Sequence, residues 1–273
     1  MHAEAAHGSW RREARTVLVS RPRTPVTVPA PFAISSGSIR SDRPLEFAPH
    51  AHRLHELVWV RGGTMTVRSG RSIVTVPEGS GLWLPAGTEH SGRITAAAVL
   101  CDAQFDPARS PVALADVTVV EIRPVLGALL THLQRDDLQP PERLRAEAVV
   151  FDLIRPARRT FVLAVPDGGR ISAMVEHLLD DPADPRSGAD WARELGLSER
   201  SLTRAFRAQT GLSYLQWRQT LRVQSALTLL GEGAQVQEVA EQLGYAQPST
   251  FIAAFRRITG TTPGAFTARP RHV

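Results

Sequence analysis

Two groups of residues in this 273-residue chain carry side chains suited to recognition chemistry. The first is a set of arginines and small polar residues that occurs twice, about fifty residues apart. It comprises Arg200, Ser201, Thr203, Arg204 and Arg207, then Ser249, Thr250, Ala253, Arg256 and Arg257. A guanidinium pairs bidentately with guanine O6 and N7, so Arg204 is suited to read a base. Arg207, Arg256 and Arg257 come later in their segments and suit phosphate contacts, which set register without reading sequence. Ile252 and Ala253 offer apolar surface to a thymine methyl. The second group, three imidazoles and a carboxylate (His50, His52, Glu56, His90), lies in a stretch of different character.

The first group needs two rigid helices to present it. From Ala240 to Pro263 the pattern is helix, sharp turn, helix. Gly244 ends the first helix in the left-handed conformation that a C-terminal turn requires, and Pro248 suits the first turn of the next. Phe251, Ala254, Phe255 and Ile258 recur at helical spacing and predict a buried stripe, which turns the polar residues outward. The same pattern stands upstream: Ala192, Leu195-Gly196, Leu202, Phe206 and Gly211 match Ala240, Leu243-Gly244, Phe251, Phe255 and Gly260. Ser198 predicts an N-cap there, with Glu199 favourable in the first turn. Between the copies, Ser213 to Leu230 has neither Gly nor Pro and predicts one connecting helix, roughly 25 Å long. A helix, a glycine turn and a second helix with a basic outer face is the layout of a helix-turn-helix reader.

Residues 170–268 therefore resemble the double helix-turn-helix domain of the arabinose-regulator (AraC/XylS) family of bacterial transcription factors. Trp217-Arg218, Arg222, Ala226, Leu229-Leu230, Val239-Ala240, Tyr245 and Pro263 also carry the resemblance. It implies a unit with two reading helices that docks on successive major grooves of promoter DNA, with RNA polymerase and a second copy of the chain as further partners.

The second group sits among short β-rich runs, from His55 to Val60, Thr64 to Val67, Ser72 to Val76 and Gly81 to Leu84, punctuated by Gly and Pro. Such spacing predicts a sandwich or barrel. The pattern His50-x-His52-x3-Glu56-x6-Gly63, followed by Gly79-x5-Pro85-x-Gly87-x2-His90, resembles the two motifs of the cupin family, small jelly-roll barrels. Ile94 departs from the asparagine usual at the end of the second motif. The resemblance implies that His50, His52, Glu56 and His90 point inward and hold one divalent metal. Imidazoles with one carboxylate suit Zn, Ni, Mn or Fe and leave coordination positions open. A metal-free polar pocket for a small-molecule effector is the other reading. His55, adjacent to Glu56 on a strand, faces the opposite side.

The chain thus reads as an α+β multidomain protein: a flexible tail over 1–35, a cupin-like sensor barrel over 36–123, and a helical region with linker over 124–165. The double helix-turn-helix domain covers 168–270. In the helical region Val125, Leu126, Leu129, Leu130 and Leu133 predict one buried stripe, and Leu144, Ala148, Val149, Leu153 and Ile154 another. Those helices either mediate dimerisation or cover the barrel. All 32 basic residues are arginine and the net charge is only +5, so bulk charge alone does not mark a nucleic-acid binder. One cysteine excludes an intrachain disulfide and argues against a secreted, stapled fold. No stretch reaches the roughly 20 apolar residues of a membrane span, and the Arg-rich start lacks the apolar core of a secretion signal, so the expected location is the cytoplasm. The expected function is a one-component, sequence-specific transcriptional regulator with no catalytic residues. The alternative is a metal-dependent cupin enzyme carrying an appended DNA-binding domain.

Overall fold

The structure is a computed structural model that describes residues 16–19 and 27–268. The chain forms two compact units, one of residues 16–70 and 74–160, the other of residues 161–268 with 71–73.

The N-terminal unit is built on two sheets. Its strands are β1 (Val17–Val19), β2 (Ile34–Arg40), β3 (Leu45–His50), β4 (His55–Arg61), β5 (Thr64–Ser69), β6 (Ser72–Pro77), β7 (Ser80–Leu84), β8 (His90–Ile94), β9 (Val99–Phe105) and β10 (Thr118–Glu121). One sheet carries the order β1-β3-β8-β5-β6, the other β10-β7-β4-β9-β2. Alternation along β4 decides what lies where, because successive side chains leave opposite faces. Val58 and Val60 turn to an inner core shared with Phe47, Met65, Val67, Ile94 and Leu100. Leu57 and Trp59 turn to the other face, where a second core forms with Trp83 and Phe105. Helices α1 (Pro124–His132) and α2 (Pro140–Leu153) close that second core with Leu126, Leu130, Leu133, Ala146, Val150 and Ile154.

Two details differ from the sequence expectation. Leu144, Ala148 and Val149 of α2, assigned above to a buried stripe, are exposed, as is Val125 of α1. The buried face of α2 runs through Ala146, Glu147 and Val150 instead. Glu147 is only 2% exposed, and its carboxylate accepts hydrogen bonds from the backbone N–H groups of Ala33 (2.9 Å) and Ile34 (3.2 Å). A carboxylate with backbone donors of its own is accepted in the core, and its place in the stripe rotates the helix away from the purely apolar solution. The stretch read as a tail also contributes structure. Val17–Val19 pairs in parallel with Leu45–Phe47, and Val28, Ala33 and Ile34 are buried. Residues 1–15 and 20–26 of that stretch lie outside the described residues.

The C-terminal unit holds β11 (Phe161–Ala164), a 3-10 turn at Gly169–Ile171, and α3 (Ser172–Asp180), α4 (Gly188–Glu194), α5 (Glu199–Thr210), α6 (Tyr214–Gly231), α7 (Val236–Gln242), α8 (Pro248–Thr259) and α9 (Pro263–Thr267). Much of the stretch read as a linker packs into this unit: Leu163 and Val165 are buried beside Ile171 and Trp191, and Trp217 Nε1 donates to the Ala164 carbonyl at 2.7 Å. Helix α6 is the axis. Trp217 and Leu221 on its N-terminal half pack with Leu202 and Phe206 of α5. Val223, Ala226, Leu227 and Leu230 on its C-terminal half pack with Phe251 and Phe255 of α8. Each of the leucines, phenylalanines and Val223 in these contacts contributes about 1.5–3 kcal/mol by leaving water.

Replacing Glu147 by Ala should lower unfolding free energy by about 3 kcal/mol in a urea titration, because two backbone donors lose their acceptor and Arg143 loses its ion-pair partner. A loss under about 1 kcal/mol would show that the carboxylate is dispensable to the α2 contact.

Candidate functional site

In the barrel unit the four polar residues predicted from the sequence come together. His50 ends β3, and the β3–β8 register shifts between Phe47 and His50, which places His50 directly across from His90 at the start of β8. Such a bulge re-aims the side chains that follow it. Glu56 is the second residue of β4 and shares the inner face with Val58; it is 1% exposed. His52 Nε2 stands 3.0 Å and His90 Nε2 3.5 Å from Glu56 Oε2. The ring centroids of His50 and His90 are 4.3 Å apart, those of His50 and His52 4.9 Å. One ligand atom from each of His50, His52 and His90 falls within 4.8 Å of the others.

The tautomers follow from the backbone. His50 Nδ1 lies 2.6 Å from the Ala48 carbonyl and His90 Nδ1 3.0 Å from the Thr88 carbonyl. A carbonyl only accepts, so each Nδ1 is the donor, and in the neutral form of each ring the lone pair is on Nε2, the nitrogen left for the cluster. Metal-binding histidines are oriented by this same second hydrogen bond. Beside the imidazoles lies a small cavity walled by Phe47, Val58, Met65, Val67, Ile94 and Leu100. The site therefore pairs a polar, metal-competent end with an apolar interior. His55 is on the other face, 5.2 Å from the Trp83 ring, where its Nδ1 accepts from Ala86 N–H and burial lowers its pKa.

In the helical unit the outward faces of α5 and α8 carry the second group. Ser187 caps α4 through a reciprocal box with Asp190, and Ser198 caps α5 by accepting from Ser201 N–H at 3.1 Å. With Leu202 and Phe206 buried, Arg200, Arg204 and Arg207 are exposed, while Ser201 and Thr203 are half-buried. On α8, burial of Phe251, Ala254, Phe255 and Thr259 leaves Ser249, Thr250, Ala253, Arg256 and Arg257 exposed. Ile252 is half-buried against the core, and Ile258 is half-buried beside it. Arg257 donates to Gln219 Oε1 of α6, which ties its guanidinium to the connecting helix.

A network that the sequence reading did not anticipate lies beside these helices. Asp184 is 5% exposed and accepts from Arg186 Nη2 at 2.7 Å, with His177 Nε2 at 2.8 Å. The Arg186 guanidinium lies 3.5 Å over the Trp191 ring and donates to Glu194 at 2.8 Å. His177, Asp181 and Asp184 have ligand atoms close enough for a cation, but Arg186 already engages Asp184. Only the acid–Arg–Trp composition of 184–191 signals this network in the sequence.

A barrel with an inward ligand site and a double helix-turn-helix unit on one chain define a ligand-responsive transcriptional regulator. Residues 35–154 match the family described as the AraC-like ligand binding domain, and residues 191–269 match a helix-turn-helix domain family. The HTH-type transcriptional regulator NimR of Escherichia coli K12 is 34% identical over 242 residues, covering 87% of each chain. The HTH-type transcriptional regulator RipA of Corynebacterium glutamicum is 30% identical over 215 residues, covering 77% of this chain and 61% of that protein. Among solved structures, ToxT of Vibrio cholerae O395 aligns over 88% of this chain and 99% of its own, at 13% identity and a TM-score of 0.38. The chain belongs to the AraC family of helix-turn-helix transcriptional regulators. Among the described residues no helix is long and apolar enough to cross a membrane.

Hydrogen bonds from Arg186 hold the Asp184 carboxyl well below the usual carboxylate range. The stability this supplies is complete above the unfolded carboxylate's value near about 4 and is lost as pH falls below it. The melting temperature of the wild-type chain should therefore drop more steeply than that of Asp184→Asn between about pH 5 and about pH 3. Parallel curves would remove Asp184 from the acid response.

Proposed function

We propose that Arg204 reads a base of promoter DNA from α5, and that Arg200, Arg207 and Arg256 fix the chain on the phosphate backbone. Ser201, Thr203, Ser249, Thr250 and Ala253 complete the two contact faces, and Arg257 stiffens the second through Gln219. The observation that carries this reading is the duplication itself: the same buried apolar register, Leu202 and Phe206 on α5 and Phe251 and Phe255 on α8, turns a basic face outward on both helices.

The barrel is the sensor. His50, His52, Glu56 and His90 fit one divalent metal of the Zn, Ni, Mn or Fe type, because two rings have Nδ1 committed to backbone carbonyls and a buried carboxylate stands beside them. When bound, the metal supplies a Lewis-acid position facing the apolar cavity. The protein's residues do the rest: the carbonyls hold the rings in place, and the apolar walls exclude water and select a small effector with an apolar body. Effector binding changes promoter occupancy only through different affinities for two states of the chain. The regulator is not an enzyme, acts in the cytoplasm, and meets RNA polymerase at its promoter. Its second copy docks on the outer face of α2, where Leu144 and Val149 are exposed. The imidazole–carboxylate set is the one feature that favours a metalloenzyme, and turnover of an added substrate would overturn the sensor reading.

Two measurements test these assignments. Arg204→Ala should cost about 1–3 kcal/mol on the best DNA site and relax preference at one base pair. Equal weakening on all sequences would make Arg204 a phosphate contact. Elemental mass spectrometry of the untagged protein should find near one metal per chain, lost in a His50→Ala/His52→Ala double variant. No metal after incubation with Zn, Ni, Mn and Fe(II) would make the four residues a polar pocket lining.

A further inference from the structure

The two reading motifs touch each other through more than the helix that connects them. The segment between α3 and α4, Asp181 to Ser187, precedes the first motif, yet it lies against the turn of the second. Four of its carbonyls, those of Pro182, Ala183, Asp184 and Arg186, accept hydrogen bonds from arginines of α6. Arg222 Nε donates to Pro182 O at 2.8 Å and Nη2 to Ala183 O at 3.3 Å, while Arg218 Nη1 donates to Arg186 O at 2.6 Å. Arg218 is 9% exposed, and burial pulls the Arg222 guanidinium below its usual value, with Arg218 adding to the effect. A buried and a half-buried cation one helical turn apart are a costly arrangement, sustained here by these carbonyl acceptors.

The far side of the same arginine meets the second motif. Arg222 Cζ lies 5.4 Å from the Tyr245 ring centroid, and Tyr245 follows the turn glycine Gly244. A Cβ on Gly244 would stand 2.9 Å from Ala183 O and 3.2 Å from Arg222 Nη2. The equivalent glycine of the first motif, Gly196, has the same left-handed backbone, φ +64° against +71°, but its nearest neighbour would be Arg170 Nη1 at 3.7 Å. Duplication therefore produced two turns of one geometry, and only the second is packed against the loop. The loop's other end is anchored in the first motif, where Asp184 grips Arg186 and Arg186 lies over Trp191 of α4. A continuous path runs from Trp191 through Arg186, Asp184 and the loop carbonyls to Arg222, Tyr245 and Gly244.

We infer that the Pro182–Arg186 loop, clamped by Arg222, is a fixed spacer that holds the two reading motifs at one separation, so the chain accepts its two DNA half-sites at a single spacing. This rests on the reading that α5 and α8 both contact DNA. Arg222 is then a positioning residue: it touches no base in this scheme, and it acts through the loop and the second turn. A connecting helix alone would let α8 swing as α6 bends. A second contact at the Gly244 turn removes that freedom, and pre-paying orientation in the free protein raises affinity for the one matching site.

The test uses the full chain and duplexes selected by it from a random-sequence pool, then rebuilt with one base pair inserted or deleted between the two protected segments. The wild type should lose about tenfold or more in affinity on either rebuilt duplex, the scale of a coupling between sites in contact. Gly244→Ala and Arg222→Ala should lose affinity for the selected duplex while their penalty for the altered spacing shrinks to about twofold. Binding to duplexes in which one half-site is scrambled should change much less, which shows that each motif remains folded. Gly196→Ala carries the same left-handed backbone strain without the loop contact, so its spacing penalty should match the wild type. An unchanged spacing penalty in Gly244→Ala and Arg222→Ala, or an equal reduction in Gly196→Ala, overturns the spacer. If the selected duplexes contain only one protected segment, the two-reader reading fails and the spacer fails with it.

Discussion

The burial of four side chains, Leu202 and Phe206 on α5, Phe251 and Phe255 on α8, governs the rest of the helical unit. Each is no more than 1% exposed, and each packs on α6. A helix has one rotation that buries residues at this spacing, so the same act that removes the rings from water decides which residues face outward. The arginines of α5 are exposed because the phenylalanine is not. The two motifs stand on opposite halves of an 18-residue helix, about 27 Å long at the usual rise, a little under the ~34 Å turn that separates successive major-groove faces.

The barrel obeys a different periodicity with the same logic. Along β4 the inner face carries Glu56, Val58 and Val60, and the outer face His55, Leu57 and Trp59. A carboxylate among valines is expensive unless it is partnered. Here imidazoles from His52 and His90 stand beside it, and the strand bulge before His50 brings a third ring within contact distance. The apolar walls and the polar cluster are therefore a single arrangement. The walls lower the local dielectric, which strengthens whatever electrostatic contact a ligand makes at the cluster.

Where a single period decides, the sequence was a reliable guide. The repeat Ala-x-x-Leu-Gly, the paired phenylalanines and the Ser198 cap specify local geometry, and the structure has helices at those places. His50 stands on β3, His52 in the loop after it and Glu56 on β4, so their meeting depends on the path between the two sheets and on the β3–β8 register, not on one period. Other features that a single period does not carry were missed. The buried side of α2 includes Glu147, whose donors, Ala33 and Ile34, lie over a hundred residues away, so an apolar stripe was sought on the wrong side. Val17–Val19 is a strand only because Leu45–Phe47 is there to pair with it. Asp184 and Arg186 look like ordinary loop charges until Trp191, Arg218 and Arg222 surround them. Long-range polar contacts leave almost no mark on local pattern.

The account stands or falls on two protein helices entering DNA in succession. The direct measurement is selection of duplexes from a random pool by the full chain, followed by hydroxyl-radical and methylation footprinting on the enriched sequence. The account predicts one enriched site with two major-groove segments protected on one face, about one helical turn apart, centre to centre. Enrichment of no sequence, or protection of a single segment with the second repeat making no contact, would contradict it.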